Sequence, residues 1–237
     1  MVTSLSSLQI PANSMEARQL QLEAIAHNLA NVNTAGYKRV HAVATGQDHI
    51  SFVRSFQEGA TEGTGRELDL ALHGDGFFSV RNDDGTIAYT RDGAFGLDAE
   101  GRLVTAGGRR VVPEVIAPAT ARIVGVTDAG EVLAAVGGAE PTVIGRLQIA
   151  RFANPAGLIP SGENLFMASP ASGEPVVGNP AGDGLAAIVP RALERSNVDA
   201  AEEMVSALAA HRAYQLSARA LQTTDEMLAI AEDIVRT

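Results

Sequence analysis

The two ends of this 237-residue chain constrain its fold more than anything between them, because both are long, free of glycine and poor in charge. From Thr3 to Val32 the only charged residues are Glu16, Arg18 and Glu23. Over the same stretch Leu8, Met15, Leu22 and Leu29 recur at intervals of seven, with Leu5, Ala12 and Ala26 in companion small or apolar positions. That spacing lays a continuous apolar seam along a helix of roughly 45 Å. At the other end Val205, Leu208, Leu216, Met227, Ile230 and Ile234 hold the apolar positions, and Ala209, Ala213 and Ala220 allow another helix to approach closely. A glycine-free run of about forty residues makes a helix on the order of 60 Å, too long for the packed face of an ordinary small domain. A chain that closes on itself through such ends is built to assemble.

Local signals bound these helices. Pro11 falls inside the first periodic stretch, where proline costs about 3 kcal/mol or more, so a break near Ile10 is expected, with the stronger helix starting at Pro11 or Asn13. Asn28, Asn31, Asn33, Thr34 and Gly36 offer side-chain amides and a left-handed cap, which ends the helix before Gly36. The second helix opens at Ser196-Asn197-Val198-Asp199, where a serine with an acid three residues on reads as a capping box.

Between the ends the pattern changes. Residues 37–67 carry four scattered glycines and read as an extended connector with one or two strands. From Leu68 short apolar runs alternate with Asp/Gly turns: Leu68 to Leu72, Gly74-Asp75-Gly76, Phe77 to Val80, then a hairpin turn at Asp83-Asp84-Gly85 leading to Ile87 to Thr90. Further hairpins are expected around Asp98 to Val104 and Asp128 to Leu133, a strand from Val143 to Phe152, and an ordered loop over residues 154–184. Consecutive hairpins predict an α+β fold with a mostly antiparallel β domain over 68–193 and the helical ends, 1–36 and 194–237, forming a discontinuous domain.

Composition removes several functional classes. A net charge of -10 with no cluster of basic residues argues against nucleic acid as a partner, and Lys38-Arg39 and Arg109-Arg110, as isolated pairs, read as solvated surface. Without cysteine there is neither a disulfide nor a thiolate metal site. No segment reaches the ~20 apolar residues of a membrane span. The N-terminus lacks a cleavable secretory signal, so export would take another route. No GxxxxGK, HExxH or GxSxG pattern occurs. His27, His41, His49, His73 and His211 are scattered; His27 and His211 read as contacts within or between helices. Asp75, Asp83, Asp84, Asp92 and Asp98 read as turn residues that bond their own backbone. No catalytic, metal-binding or cofactor-binding residue is therefore expected.

A heptad stripe of leucine and alanine is ordinarily core. Here two chain ends would have to supply it, and periodicity alone does not separate an intramolecular hairpin from a seam buried between subunits. The expected subunit-packing residues are Leu8, Met15, Leu22, Leu29, Asn28, Asn31, Val205, Leu208, Leu216, Met227, Ile230 and Ile234.

The run Asn28-Leu29-Ala30-Asn31-Val32-Asn33-Thr34-Ala35-Gly36-Tyr37-Lys38 resembles the N-terminal signature of bacterial flagellar rod and hook proteins. Leu68 to Phe78, Tyr89-Thr90-Arg91-Asp92-Gly93 and Ser161 to Phe166 resemble central motifs of that family. Leu193, Ser196 to Asp199, Glu203-Met204-Val205, Arg212-Ala213-Tyr214 and Thr224 to Leu228 resemble its C-terminal signature. Within the family the C-terminal run and Phe152 to Leu158 are most similar to distal rod members, while the stretch from Val40 to Gly65 departs from them and keeps a proximal rod paralogue or a hook-type subunit as alternatives. The resemblance implies terminal helices paired in a coiled-coil domain along a tubular axis, an outer β domain, and self-association into a helical rod that transmits torque. It also implies other rod proteins, the hook protein and the surrounding rings as partners, and export by the flagellar type III apparatus to the basal body. A monomeric binding module with a helical stalk, or a hydrolase using the Asp-rich turns, are the readings from other classes.

Overall fold

The computed structural model describes the backbone of residues 2–44, 50–137, 139–182 and 184–235. Side chains are described from Ser14 onward, except those of residues 44, 50, 225, 228, 229 and 231–235. The architecture is α+β, with two long helices and many short antiparallel strands. Chain segments sort into two units: Met1–Val32, Arg39–Ser55 and Val198–Thr237 in the first, and Asn33–Lys38 with Phe56–Asn197 in the second.

In the first unit, helix α1 (Val2–Ala30) runs without interruption through Pro11, contrary to the expected break. Proline withholds a single N–H from the ladder, and a helix that packs along another is held by that packing more than by the propensity of each residue. Beyond Ala30 the Asn31 N–H turns back to the Asn28 carbonyl at 3.1 Å. The buried Asn28 side chain then clamps the chain on its return: its Nδ2 donates to the Val40 carbonyl and its Oδ1 accepts from the Val40 N–H, both at 2.8 Å. Strands β1 (Val40–Ala44) and β2 (Ile50–Arg54) pair antiparallel from Val40 opposite Arg54 to Ala44 opposite Ile50. A two-stranded hairpin is marginal alone, and this one packs on α1.

Helix α2 (Ala200–Val235) begins four residues after the serine expected to open it. Its cap is Asp199, whose Oδ1 accepts from the N–H groups of Ala201 at 2.8 Å and Glu202 at 3.2 Å. The reason lies two residues earlier. Asn197 is held in the second unit by its N–H on the Tyr37 carbonyl and its Nδ2 on the Gln57 carbonyl, so helical geometry starts only past it.

The second unit is built of antiparallel strands, with one 3-10 turn at Pro155–Gly157. In chain order its strands are β3 (Thr61–Gly63), β4 (Leu70–His73), β5 (Phe77–Arg81), β6 (Ile87–Thr90), β7 (Phe95–Leu97), β8 (Leu103–Thr105), β9 (Arg110–Val112), β10 (Ala121–Val126), β11 (Glu131–Val136), β12 (Thr142–Arg146), β13 (Ile149–Arg151), β14 (Ile159–Pro160), β15 (Leu165–Met167), β16 (Val176–Gly178), β17 (Ala187–Pro190) and β18 (Ala192–Glu194). The largest sheet follows the path β14-β15-β6-β5-β9-β8-β7, with β13 between β5 and β16. β10, β11 and β12 form a separate sheet, while β17 pairs with β4 and β18 with β3. The expected strand from Val143 to Phe152 is thus two strands in different sheets, divided by the fully buried Leu147. The expected loop over 154–184 contains three short strands.

The core is mainly aliphatic, around Leu70, Leu72, Val80, Leu103, Leu147, Ile149 and Ile188, and takes in Phe78 and Phe95. Beside it Phe56, Phe77, Phe152, Phe166 and Tyr89 pack edge to face with centroids 4.8 to 6.1 Å apart. Three of the five turn acids bond their own backbone as expected: Asp84 accepts from the Thr86 N–H, Asp92 from the Ala94 N–H, and Asp98 from the N–H groups of Glu100 and Arg102, whereas Asp83 instead pairs with Arg109.

Candidate assembly surface

Small side chains hold α1 and α2 together. Ala210 is buried on α2, and Ser206, Ala207, Ala213, Tyr214, Ser217, Ala218 and Leu221 are half-buried, so one face recurs every three to four residues. Among the described residues of α1 the buried ones are Ala24, Ile25 and Asn28. Ser14 Oγ lies 3.2 Å from Ser217 Oγ, while Ala24 and Ile25 line a cavity of about 180 Å³ together with Glu203 and Ser206. As the chain ascends α1 it descends α2, so the helices are antiparallel.

Apart from Tyr214 and Leu221, the larger apolar residues among the described side chains of α2 point elsewhere. Val205, Leu208, Leu216, Met227 and Ile230 are 62% to 68% exposed, and Met204 is 57% exposed. Of the expected packing residues on α1, Met15, Leu22 and Leu29 are half-buried, Asn28 is buried in its clamp on Val40, and Asn31 is half-buried with its Nδ2 on the His27 carbonyl at 2.9 Å. The side chains of Leu8 and Ile234 lie outside the described residues. The two helices therefore consume the alanine and serine face of α2 and leave its valine, leucine, isoleucine and methionine stripe facing solvent.

At the top of α2 Arg39 reaches Glu202 Oε1 at 3.1 Å and Glu203 Oε1 at 2.5 Å. Glu203 is 1% exposed in side chain, so this pair fastens the strand that follows α1 to the first turn of α2. His41 lines the same cavity as Arg39 and Glu203. His211 Nε2 stands 3.0 Å from Gln215 Nε2 within α2.

Lys38 is not solvated surface. In the second unit Lys38, Glu194 and Arg91 are 0%, 1% and 4% exposed and meet at one carboxylate. Glu194 Oε1 accepts from Lys38 Nζ at 2.5 Å and from the Gly59 N–H at 2.9 Å, while Oε2 accepts from Arg91 Nε at 2.8 Å. Lys38 Nζ also donates to the Gln57 carbonyl at 2.6 Å. Arg91 Nη1 donates to the carbonyls of Gly74 and Gly76 at 2.8 and 2.7 Å, and Nη2 reaches that of Leu72 at 3.4 Å. Burial pulls the Lys38 ammonium below the usual lysine range, which Glu194 partly offsets. The acid that neutralises Lys38 lies 156 residues away, so the dipeptide Lys38-Arg39 looks solvent-bound when read locally. Arg109 is likewise engaged, by Asp83 at 3.1 Å and Glu163 at 2.9 Å.

Sequence reasoning missed this hub and the Arg39–Glu203 pair. The one signal was that Lys38, Arg91 and Glu203 fall inside the motifs that carry the resemblance, with Glu194 beside Leu193. Gly36 is explained by the same packing: its φ is +64°, and a Cβ there would strike the backbone of Arg91 and Asp92.

Among the described residues no three His, Asp or Glu side chains gather into a metal cage, and no helix is long and apolar enough to cross a membrane. The first unit presents an apolar helical face on α2, which is chemistry for association.

Three family models match stretches of the chain. The family model described as flagella basal body rod protein matches residues 8–38, that of the flagellar hook protein FlgE/F/G D1 domain matches 71–134, and that of the flagellar basal body rod FlgEFG protein C-terminal matches 189–234. The chain is similar to the flagellar basal-body rod protein FlgG of Agrobacterium fabrum, 39% identical over 254 residues covering 94% of this chain and 97% of that one. It is 35% identical to FlgG of Borreliella burgdorferi over 97% of this chain and 98% of that one. Against the flagellar hook protein FlgE of Helicobacter mustelae it is 37% identical over 44% of this chain and 29% of that one.

Proposed function

The chain belongs to the family of flagellar hook and basal-body rod proteins and is a structural subunit of the flagellar rod, and from that premise we propose that it forms the distal rod by polymerising through its helical ends. The observation that carries the reading is the exposed stripe Val205, Leu208, Leu216, Met227 and Ile230 on α2. Fully burying such a side chain stabilises by about 1.5–3 kcal/mol, so covering what these five leave exposed yields roughly 5–10 kcal/mol per subunit. Association itself costs about 4–15 kcal/mol in lost freedom. The gain from one neighbour is of the same size as that cost, and a wall in which each helix is flanked on several sides adds further burial.

In this reading the terminal helices form a coiled-coil layer around a channel, with Leu8, Met15, Leu22, Leu29, Asn28 and Asn31 on α1 and the α2 stripe as packing positions. A heterologous contact that does not close on itself generates the helical rod. The rod transmits torque from motor to hook. Other rod proteins, the hook protein and the encircling rings are its partners, the periplasm-spanning basal body its place, and the type III export apparatus its route there. No catalytic role is assigned.

The test is Leu216→Asp in the full chain. Purified protein is followed by sedimentation and negative-stain microscopy, and cells carrying the variant are scored for rods in isolated basal bodies. The reading expects filaments and rods from the parent and neither from the variant, with the unfolding free energy of the monomer within about 0.5 kcal/mol of the parent because the site is exposed. Rods of normal number and length from the variant would overturn it.

A further inference from the structure

Glu16 and Glu23 lie on the exposed side of α1, and Arg212 and Arg219 on the exposed side of α2. Each pair is seven residues apart, which on a helix returns to within about 20° of the same direction some 10.5 Å further along. Neither arginine has an acid three or four positions away, and neither glutamate has a lysine or arginine there. Among the described residues none of the four is in an ion pair, whereas Arg39, Arg91, Arg102 and Arg109 all are. Glu23 accepts one bond, from Gln19 Nε2 at 3.3 Å. Two matched rows of opposite charge thus stand on the faces that α1 and α2 turn away from each other.

We propose that these rows set the register between copies of this chain, with Arg212 and Arg219 of one subunit on Glu23 and Glu16 of its neighbour. The inference rests on the polymerising reading above and adds to it which positions meet. Copies related by a helical operation keep one polarity along the axis, so where the helices run along that axis α2 of one copy meets α1 of the next antiparallel. Antiparallel contact pairs Arg212 with Glu23 and Arg219 with Glu16 at the same time. Slipping one heptad in one direction brings Glu226 opposite Glu16. Slipping the other way sets Glu23 against the apolar Val205 and leaves Arg219 opposite Gln9. In the matched register Glu226 faces Gln9 and carries no penalty. Charge therefore selects one alignment of a stripe that apolar contacts alone would allow to slide.

The alignment has a length. Within one copy Ser14 is level with Ser217, which puts Arg219 level with residue 12, while its partner across the interface is residue 16. The difference of four residues is an axial offset of about 6 Å between the two copies that share the contact.

The test is charge reversal with rescue in the full chain: Glu16→Arg with Glu23→Arg, Arg212→Glu with Arg219→Glu, and all four together. Circular dichroism of each monomer checks folding, and the critical concentration for assembly is read by sedimentation at 50 and 300 mM salt. Each two-site reversal is expected to raise the critical concentration on the order of tenfold or more at low salt. The four-site exchange should return it to within about threefold of the parent, and high salt should narrow every difference. An exchange variant that folds and assembles no better than either two-site variant overturns the pairing while leaving the polymerising reading intact. A parent chain that never assembles sinks both.

Discussion

Arg91→Met is the perturbation that best measures what the buried hub contributes. Methionine keeps an unbranched stem of similar reach, so the substitution removes the guanidinium and little packing. Four bonds go with it: to Glu194 Oε2, to the carbonyls of Gly74 and Gly76, and a longer one to that of Leu72. Breaking a buried ion pair by deleting one partner costs about 3–5 kcal/mol, and each carbonyl left unbonded about 1–3 kcal/mol. These overlap, because Glu194 retains Lys38 and the Gly59 N–H and because neighbouring losses do not add. A net loss of about 4–6 kcal/mol is expected for the β unit. Against a total of roughly 5–15 kcal/mol that is about a quarter or more of its stability. For a unit of this size about 1 kcal/mol moves the midpoint by 2–4 °C, so a fall of roughly 8–24 °C should appear. Amide exchange suits the measurement, since protection at Val80, Ala88 and Val111 reports the β unit without contribution from the helices. A loss below about 1 kcal/mol at those amides would refute the reasoning, because it would mean that the hub is hydrated and its charges need no partner. Lys38→Met, which removes one contact to Glu194 and one to Gln57, should cost less than Arg91→Met.

Two further outcomes follow from side chains described above. Asp199→Ala removes the acceptor for the N–H groups of Ala201 and Glu202 and should cost about 1 kcal/mol, read as faster exchange of those two amides while the middle of α2 keeps its protection. Burial raises the Asp92 carboxyl above the usual aspartate range, with the Ala94 N–H opposing and Asp69 adding to the rise. The folded state therefore binds the proton more tightly than the unfolded one, and wild-type stability falls as pH rises through the window above about 3.9. Asp92→Asn keeps an oxygen for the Ala94 N–H and loses the charge, so its stability relative to wild type should improve from pH 3.5 to pH 7 in denaturant titrations; a constant difference over that range would count against the shift.

Sequence made the helices and hairpins legible because their signals are local. Absence of glycine, a seven-residue recurrence and the asparagines before Gly36 mark the helical ends, and Asp83-Asp84-Gly85 announces the turn between β5 and β6. What it hid depends on partners far along the chain. β4 pairs with β17 and β3 with β18, and nothing in Thr61–Gly63 or Leu70–His73 names a strand more than a hundred residues later. Lys38 looked like surface for the same reason. The cap moved from Ser196 to Asp199 because Asn197 is engaged by Tyr37 and Gln57, a tertiary demand that outranks a local motif. On α2 size drew attention to Val205, Leu208 and Leu216, while the face that closes on α1 is built from Ala210, Ser217 and their neighbours. Close helix approach favours small side chains, and these carry almost no periodic hydrophobic signal.

The Glu194 hub also sets a timetable. Lys38, Gly59 and Arg91 leave the ribosome early, but the carboxylate that answers them follows 156, 135 and 103 residues later. Until it arrives two cations have no acid to bury against, and β3 and β4 have open edges where β18 and β17 belong. Domains ordinarily fold as they emerge; this one has its last latch placed just before the final helix. A chain cut short anywhere before residue 194 lacks that latch, so a nascent subunit stays loose and a finished one locks.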